Sequence, residues 1–171
     1  YVLWRGQAGG LLAVRWPLHL LRGVLGIAML SLFALGLRSL PMAAAYTLFF
    51  IAPVLITLLS VPVLGERVRA AHWAALGAGM AGVLVALRPG ADALLDAGAL
   101  AVLAAAGCYA LSAIAGRVLT RTDSSASLVF WMTAMLALGA TALAARGWVP
   151  VRAEHGWTLL AMAVTGIAGQ V

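Results

Sequence analysis

Long apolar runs separated by short polar turns dominate the chain. The runs cover about 17–37, 41–64, 70–88, 97–116 and 126–145. A helix needs roughly 17 to 25 apolar residues to cross about 30 Å of hydrocarbon, so the pattern predicts five membrane-spanning helices. The separators carry turn formers: Arg38-Ser39-Leu40-Pro41, Gly65-Glu66-Arg67, Arg88-Pro89-Gly90, Arg121 to Ser125, and Arg146 to Gly156 with Pro150. Links this short make successive helices antiparallel. A sixth run, Trp157 to Val171, is apolar to its last residue but too short to span, and Tyr1 to Trp4 reads as the tail of an earlier span. The chain is therefore expected to be an internal piece of a longer polypeptide rather than a signal peptide plus domain.

Composition excludes a water-soluble fold. Of 171 residues, 11 are basic and 5 acidic, while 64% are hydrophobic. A soluble domain could not hide so much apolar surface behind so thin a polar coat. The net charge of +6 does not point to nucleic acid, because the arginines stand singly or in twos between apolar runs. Such arginines orient a membrane protein, and their excess marks the cytoplasmic side. One side holds Arg5, Arg15, Arg22, Arg67, Arg69, Arg117 and Arg121, and the other Arg38, Arg88, Arg146 and Arg152. Residues 1–16 and the Glu66 turn are accordingly expected in the cytoplasm. Trp16, Trp73, Trp148 and Trp157 fall near run ends, where indoles favour the headgroup layer. The single cysteine, Cys108, excludes a disulfide framework and a cysteine metal cluster, and no metal or cofactor is expected.

The order Ala34-Leu35, Leu40-Pro41, Ala52-Pro53-Val54, Leu64-Gly65-Glu66-Arg67-Val68, Gly82-Val83-Leu84 and Arg88-Pro89-Gly90 resembles the EamA type of the drug/metabolite transporter superfamily. The likeness is good over about 17–90 and looser over 97–171. It implies an all-α integral membrane bundle, the middle part of a ten-helix protein with two inverted five-helix repeats. Residues 1–90 would be the C-terminal part of the first repeat and 91–171 the truncated N-terminal part of the second. It further implies a secondary transporter moving a small organic metabolite or drug-like compound across the bacterial cytoplasmic (inner) membrane by alternating access. A faint internal echo agrees: Gly26-Ile27-Ala28 recurs as Gly166-Ile167-Ala168, a period holding an odd number of crossings, which would insert the second copy upside down.

The second run carries Tyr46, Phe50, Pro53, Thr57 and Ser60 at alternating spacings of four and three, one face of a helix. Pro53 cannot donate to the Phe49 carbonyl and clashes with it, which predicts a kink; Thr57, one turn on, is placed to bond the carbonyl of Pro53. This stripe is expected to line a substrate path near mid-membrane; packing against a neighbouring helix competes with that reading. Tyr109 and Ser112, with Cys108, form a small polar group in the fourth run, and Trp131 stands beside Met132, Thr133 and Met135 in the fifth; each is a second wall of the path or ordinary packing. In the third run Ala74, Ala78 and Gly82, and Ala75 and Gly79, recur every four residues, a pattern for close helix approach inside the bundle or at a homodimer face.

Two charges have open roles. Glu66 is expected to open the following helix, favoured by its dipole and by Arg67 and Arg69, or to form a gating ion pair. Arg22 lies inside the first run, snorkelling to headgroups or facing a water-filled cavity as a counter-ion; His19, one turn earlier, shares the ambiguity. Glu66, Asp92, Asp96, Asp123 and Glu154 all fall in turns or at helix ends, so no acidic side chain is expected at mid-membrane, and proton coupling through a buried carboxylate finds no support in the sequence. No lysine is present, which excludes a Walker-type phosphate loop, and no catalytic motif accompanies the three histidines. The chain is expected not to be an enzyme. Its partners are a small-molecule solute and the lipid bilayer, and the rival reading is a non-transporting membrane anchor or sensor bundle.

Overall fold

A computed structural model describes residues 15–87, 96–145 and 156–168. The described residues form helices α1 (Trp16–Gly36), α2 (Met42–Phe49), α3 (Ala52–Leu64), α4 (Ala70–Leu87), α5 (Ala97–Leu119), α6 (Ser125–Ala144) and α7 (Gly156–Ala168). They contain no strand. Four stretches are long and apolar enough to cross a membrane: Trp16–Gly36, Met42–Leu64, Ala97–Leu119 and Ser125–Ala144. The third expected span appears as the shorter apolar helix Ala70–Val85 and the sixth run as Gly156–Gly166. The turns at Arg88 to Gly90 and Arg146 to Pro150, with Arg5, Asp92, Trp148, Arg152 and Glu154, lie outside the described residues.

The chain divides into two compact units, Tyr1–Gly139 and Ala140–Val171. In the first, α5 is the hub. Half of it is buried, against 17% of α1, 22% of the α2–α3 stretch and 11% of α6. It packs on α1, α2 and α3, with the α1 contact the most extensive. Ala99, Ala101, Ala105, Ala106, Ala110 and Ala115 are buried along it, so backbones approach closely where lipid would give no hydrophobic drive. The tightest crossing is between glycines. A Cβ on Gly36 would stand 2.9 Å from the Gly98 carbonyl oxygen, and one on Gly98 would stand 3.1 Å from that of Gly36. Gly23 and Gly26 of α1 similarly receive Met135 and Met132 of α6.

The sequence pattern assigned this close-packing role to the third run. In the structure α4 is exposed, and a Cβ on Gly77, Gly79 or Gly82 meets nothing within 4 Å. The alternation of small residues is alike in α4 and α5, so spacing alone does not tell which is enclosed. In the second unit, α7 presents exposed apolar side chains, Trp157 and Met162 among them.

Local chemistry sets the helix ends. Gly65, at φ 69°, closes α3 in the left-handed conformation that favours glycine. Asp96 caps α5, its Oδ2 accepting the Gly98 N–H at 3.2 Å and the Ser39 hydroxyl. The Ser39 bond above all holds the Asp96 carboxyl below its ordinary range against the opposing cost of desolvation, with smaller help from the backbone N–H groups of Gly98 and Ala97. A lowered carboxylate pKa stabilises the fold above the ordinary value near ~4 and loses that contribution as pH falls through the lowered one. Melting temperatures measured from neutral pH to below ~4 are therefore expected to fall more steeply for the parent than for Asp96→Asn, which lacks this ionisation.

Candidate functional site

The second span breaks where its chemistry requires. Residues Phe50 and Ile51 leave the helix between α2 and α3, and Pro53 sits in the first turn of α3. The Phe50 N–H still reaches the Tyr46 carbonyl at 3.0 Å, but the Ile51 N–H turns to Leu48 at 3.2 Å. Pro53 has no N–H to continue the ladder to Phe49, so the α-helical bonding stops just ahead of it. The Thr57 hydroxyl donates to the Pro53 carbonyl at 2.9 Å, and Ser60 donates to the Thr57 carbonyl at 2.8 Å.

Two cavities that share one lining residue border this broken span. One, of about 330 Å³, is a largely apolar slot between the break and α4, lined by Phe50, Pro53, Val54, Gly79 and Met80 among others. The other, of about 440 Å³, is lined by Thr57, Ser60, Glu66, Arg67, Arg69 and Arg117. His72 lines both. The stripe read from the sequence thus divides: Phe50 and Pro53 border the apolar slot, Thr57 and Ser60 the charged vestibule. Tyr46 borders neither. It is half exposed, its ring edge-on to Phe33 at 5.5 Å between centroids.

Other expected wall residues scatter. Tyr109 packs its ring 5.6 Å from Phe49, whereas Ser112 is buried toward α1, its hydroxyl 3.5 Å from the Arg22 carbonyl oxygen. Tyr109 and Ser112 therefore do not act as one cluster; they face different helices. Trp131 stacks edge-on against Trp16 at 4.4 Å, and Met132 and Met135 fill the glycine pits of α1. Thr133 donates to its own helix, at the Val129 carbonyl.

Most of the described charged residues gather at the end of the first unit that holds the start of α1 and the end of α5; Arg38 and Asp96 stand at the other. Glu66 lies four positions before α4, and its Oε2 meets Arg117 Nη1 of α5 at 3.2 Å. This corrects the expectation that Glu66 opens the next helix beside Arg67 and Arg69: the extended stretch after Gly65 carries it to α5 instead. Arg22 does not snorkel freely. Its guanidinium lies over Gly116, where a Cβ would come within 3.2 Å of Nε, and Nη1 donates to the Leu128 carbonyl at 3.4 Å. The glycine leaves the room in which the guanidinium lies.

The least anticipated contact is at His19. Its Nε2 stands 2.6 Å from Asp123 Oδ2, with side chains 1% and 0% exposed. Asp123 lies at a helix end, as expected, yet its carboxylate is enclosed. It occupies a turn, as its neighbours Thr122 and Ser124 suggest, but that turn folds inward onto α1. No spacing signal links positions 104 residues apart. Among the described residues no group of three or more histidine, cysteine or acidic side chains is placed to hold a metal ion.

The profile of the EamA-like transporter family matches residues 1–88. The chain belongs to that family. It is 34% identical over 152 residues to the riboflavin transporter of Rhizobium johnstonii, covering 88% of this chain and 50% of the relative. It is 31% identical over 174 residues to the pseudopaline exporter CntI of Pseudomonas aeruginosa, covering 100% of this chain and 61% of the relative. The chain thus spans about half to three-fifths of these relatives. No solved structure gives a significant match. As an EamA-like chain it is a multi-pass bacterial membrane protein of a small-molecule transporter family, and it is not an enzyme.

Proposed function

We propose that the parent protein is a secondary transporter that moves a small amphipathic metabolite across the cytoplasmic membrane by alternating access, along the face where α2 and α3 break. The observation that carries this is the pair of cavities sharing His72: an apolar slot beside the break and an arginine-bordered vestibule beyond it. Broken helices are where membrane carriers place binding groups, because freed backbone polar groups are tolerated only beside protein or water. An apolar body fits the slot and a polar or anionic end fits the vestibule. Tyr109, Ser112 and Trp131 then support the path by packing rather than by touching the solute.

The family match ends at residue 88, which supports a division near 90 between two repeats, with α1 to α4 in one and α5 to α7 in the other. The two compact units divide elsewhere, after Gly139, because compactness follows packing and a repeat follows ancestry. Among the described residues Arg15, Arg67, Arg69, Arg117 and Arg121 stand at one end of the first unit and Arg38 at the other. This supports a cytoplasmic Glu66 turn. The exposed faces of α4 leave room for further helices or for a second copy.

The path is tested with the full-length protein in proteoliposomes, using riboflavin and a panel of aromatic carboxylates as solutes. Gly79 borders the slot and has open space at its Cβ position, so the side chain of Gly79→Phe starts into the slot with no clash at Cβ. Uptake is expected to fall at least about tenfold, as blocking a positioned contact does. Parental rates in Gly79→Phe would remove the slot from the path, and no uptake of any solute by the parent would favour the anchor reading. Glu66→Gln is expected to leave stability within about 1 kcal/mol, since Glu66 and Arg117 are half exposed. Its transport rate reports whether the pair gates.

A further inference from the structure

We infer that the buried His19–Asp123 pair is a proton-binding latch between the two halves of the carrier, through which transport is coupled to pH. This rests on the transporter reading and adds the coupling ion to it. The contact joins α1 to the α5–α6 turn, elements on opposite sides of the proposed repeat boundary, at 2.6 Å and almost fully enclosed. Of the ordinary side chains, imidazole changes charge near neutral pH. With the proton on the ring, Nε2–H donates to a carboxylate in a charge-assisted bond; without it, the ring is neutral and the contact weaker.

The neighbourhood makes opening and proton loss favour each other. On α1, Arg22 stands one turn beyond His19 and Arg15 one turn before. Arg22 Nε is buried without a hydrogen-bond partner, so that charge is not fully answered within the bundle. On α5 the nearest charge is Arg117, which Glu66 takes; in the turn it is Arg121; α6 carries no charged side chain from Ser125 to Ala144. Swinging Asp123 away would leave an imidazolium between Arg15 and Arg22, which expels its proton. By linkage, losing the proton at high pH must in turn favour the swing. The latch is thus closed when protonated and loosened when deprotonated. The balance is simple: one proton leaves the ring for water, and no bond other than N–H breaks. Trp16, one turn before His19 on α1, packs on Trp131 of α6, so release of the pair would loosen the α1–α6 packing at this end.

The test uses the full-length protein in lipid nanodiscs, with no solute, so it stands apart from the transport assay. Hydrogen exchange of peptides spanning residues 16–23 and 119–131 is compared at pH about 5.5 and 8.5, each rate divided by that of the same peptide fully unfolded at the same pH to cancel intrinsic chemistry. Glu66→Gln removes the other charge pair at this end, which holds no imidazole, and should keep the parent's pH dependence. In His19→Gln and Asp123→Asn, exchange should be high at both pH values. The parent should match them at the higher pH and be protected at least about fivefold at the lower. In histidine-labelled protein, the imidazole resonance that is missing in His19→Gln should move between the two pH values. Equal parental protection at both pH values, or the same pH dependence in His19→Gln, overturns the latch. If Asp123→Asn does not fold, His19→Gln and Glu66→Gln alone decide it.

Discussion

His19→Ala is expected to lower the stability of the bundle by about 3 kcal/mol, the largest loss of any single truncation in the first unit, because it strips a buried carboxylate of its imidazole. The cost arises less from the bond than from what remains: Asp123, its side chain 0% exposed, still lies against α1 without that partner. A paired replacement separates the two. His19→Leu with Asp123→Leu puts apolar groups of similar size on both sides and should recover much of the loss, as buried pairs generally allow. Unfolding by denaturant titration in bicelles checks this. A loss below about 1 kcal/mol for His19→Ala would mean that water reaches the pair and that its enclosure is illusory.

Gly36→Val should cost about 1–3 kcal/mol, the range of overpacking in a tight core. A Cβ there meets the Gly98 carbonyl oxygen at 2.9 Å as well as the Val102 side chain. Backbone cannot rotate aside as a side chain does, so α1 must move off α5 along their main contact. Gly107→Ala is the control. Its Cβ position has nothing within 4 Å, so alanine should be neutral or gain up to about 1 kcal/mol from helix propensity. Melting of the two variants in one detergent gives the comparison, and equal melting temperatures would show that the Gly36–Gly98 crossing does not hold the helices together.

Much of the site was legible in the sequence where the chemistry is local. Pro53 removes its own N–H, so the break three residues earlier follows from covalent structure, and the Thr57 bond to the Pro53 carbonyl follows from helix geometry. Family membership was legible for the same reason: Pro53, the Gly65-Glu66-Arg67 turn and their spacing lie within one stretch of chain. The partners of Glu66, Arg22 and His19 were not. Each bonds a group 51 or more positions away, and which group depends on how α1 and the end of α3 dock on α5. Tyr109 and Ser112 misled for a related reason: three residues apart, they look like one cluster, but α5 is enclosed on several sides and delivers them to different neighbours.

By itself, the sequence determined that this is a membrane bundle, where its helices start and stop, and where one of them breaks. Hydropathy, turn residues and a missing N–H act within a few residues of where they are written. Only the tertiary structure decided which of two small-residue helices is the hub, and that a turn carboxylate is buried against a histidine. Those outcomes depend on which faces meet, and in lipid, where apolar faces are nearly equivalent to one another, close packing and long-range polar contacts make that choice.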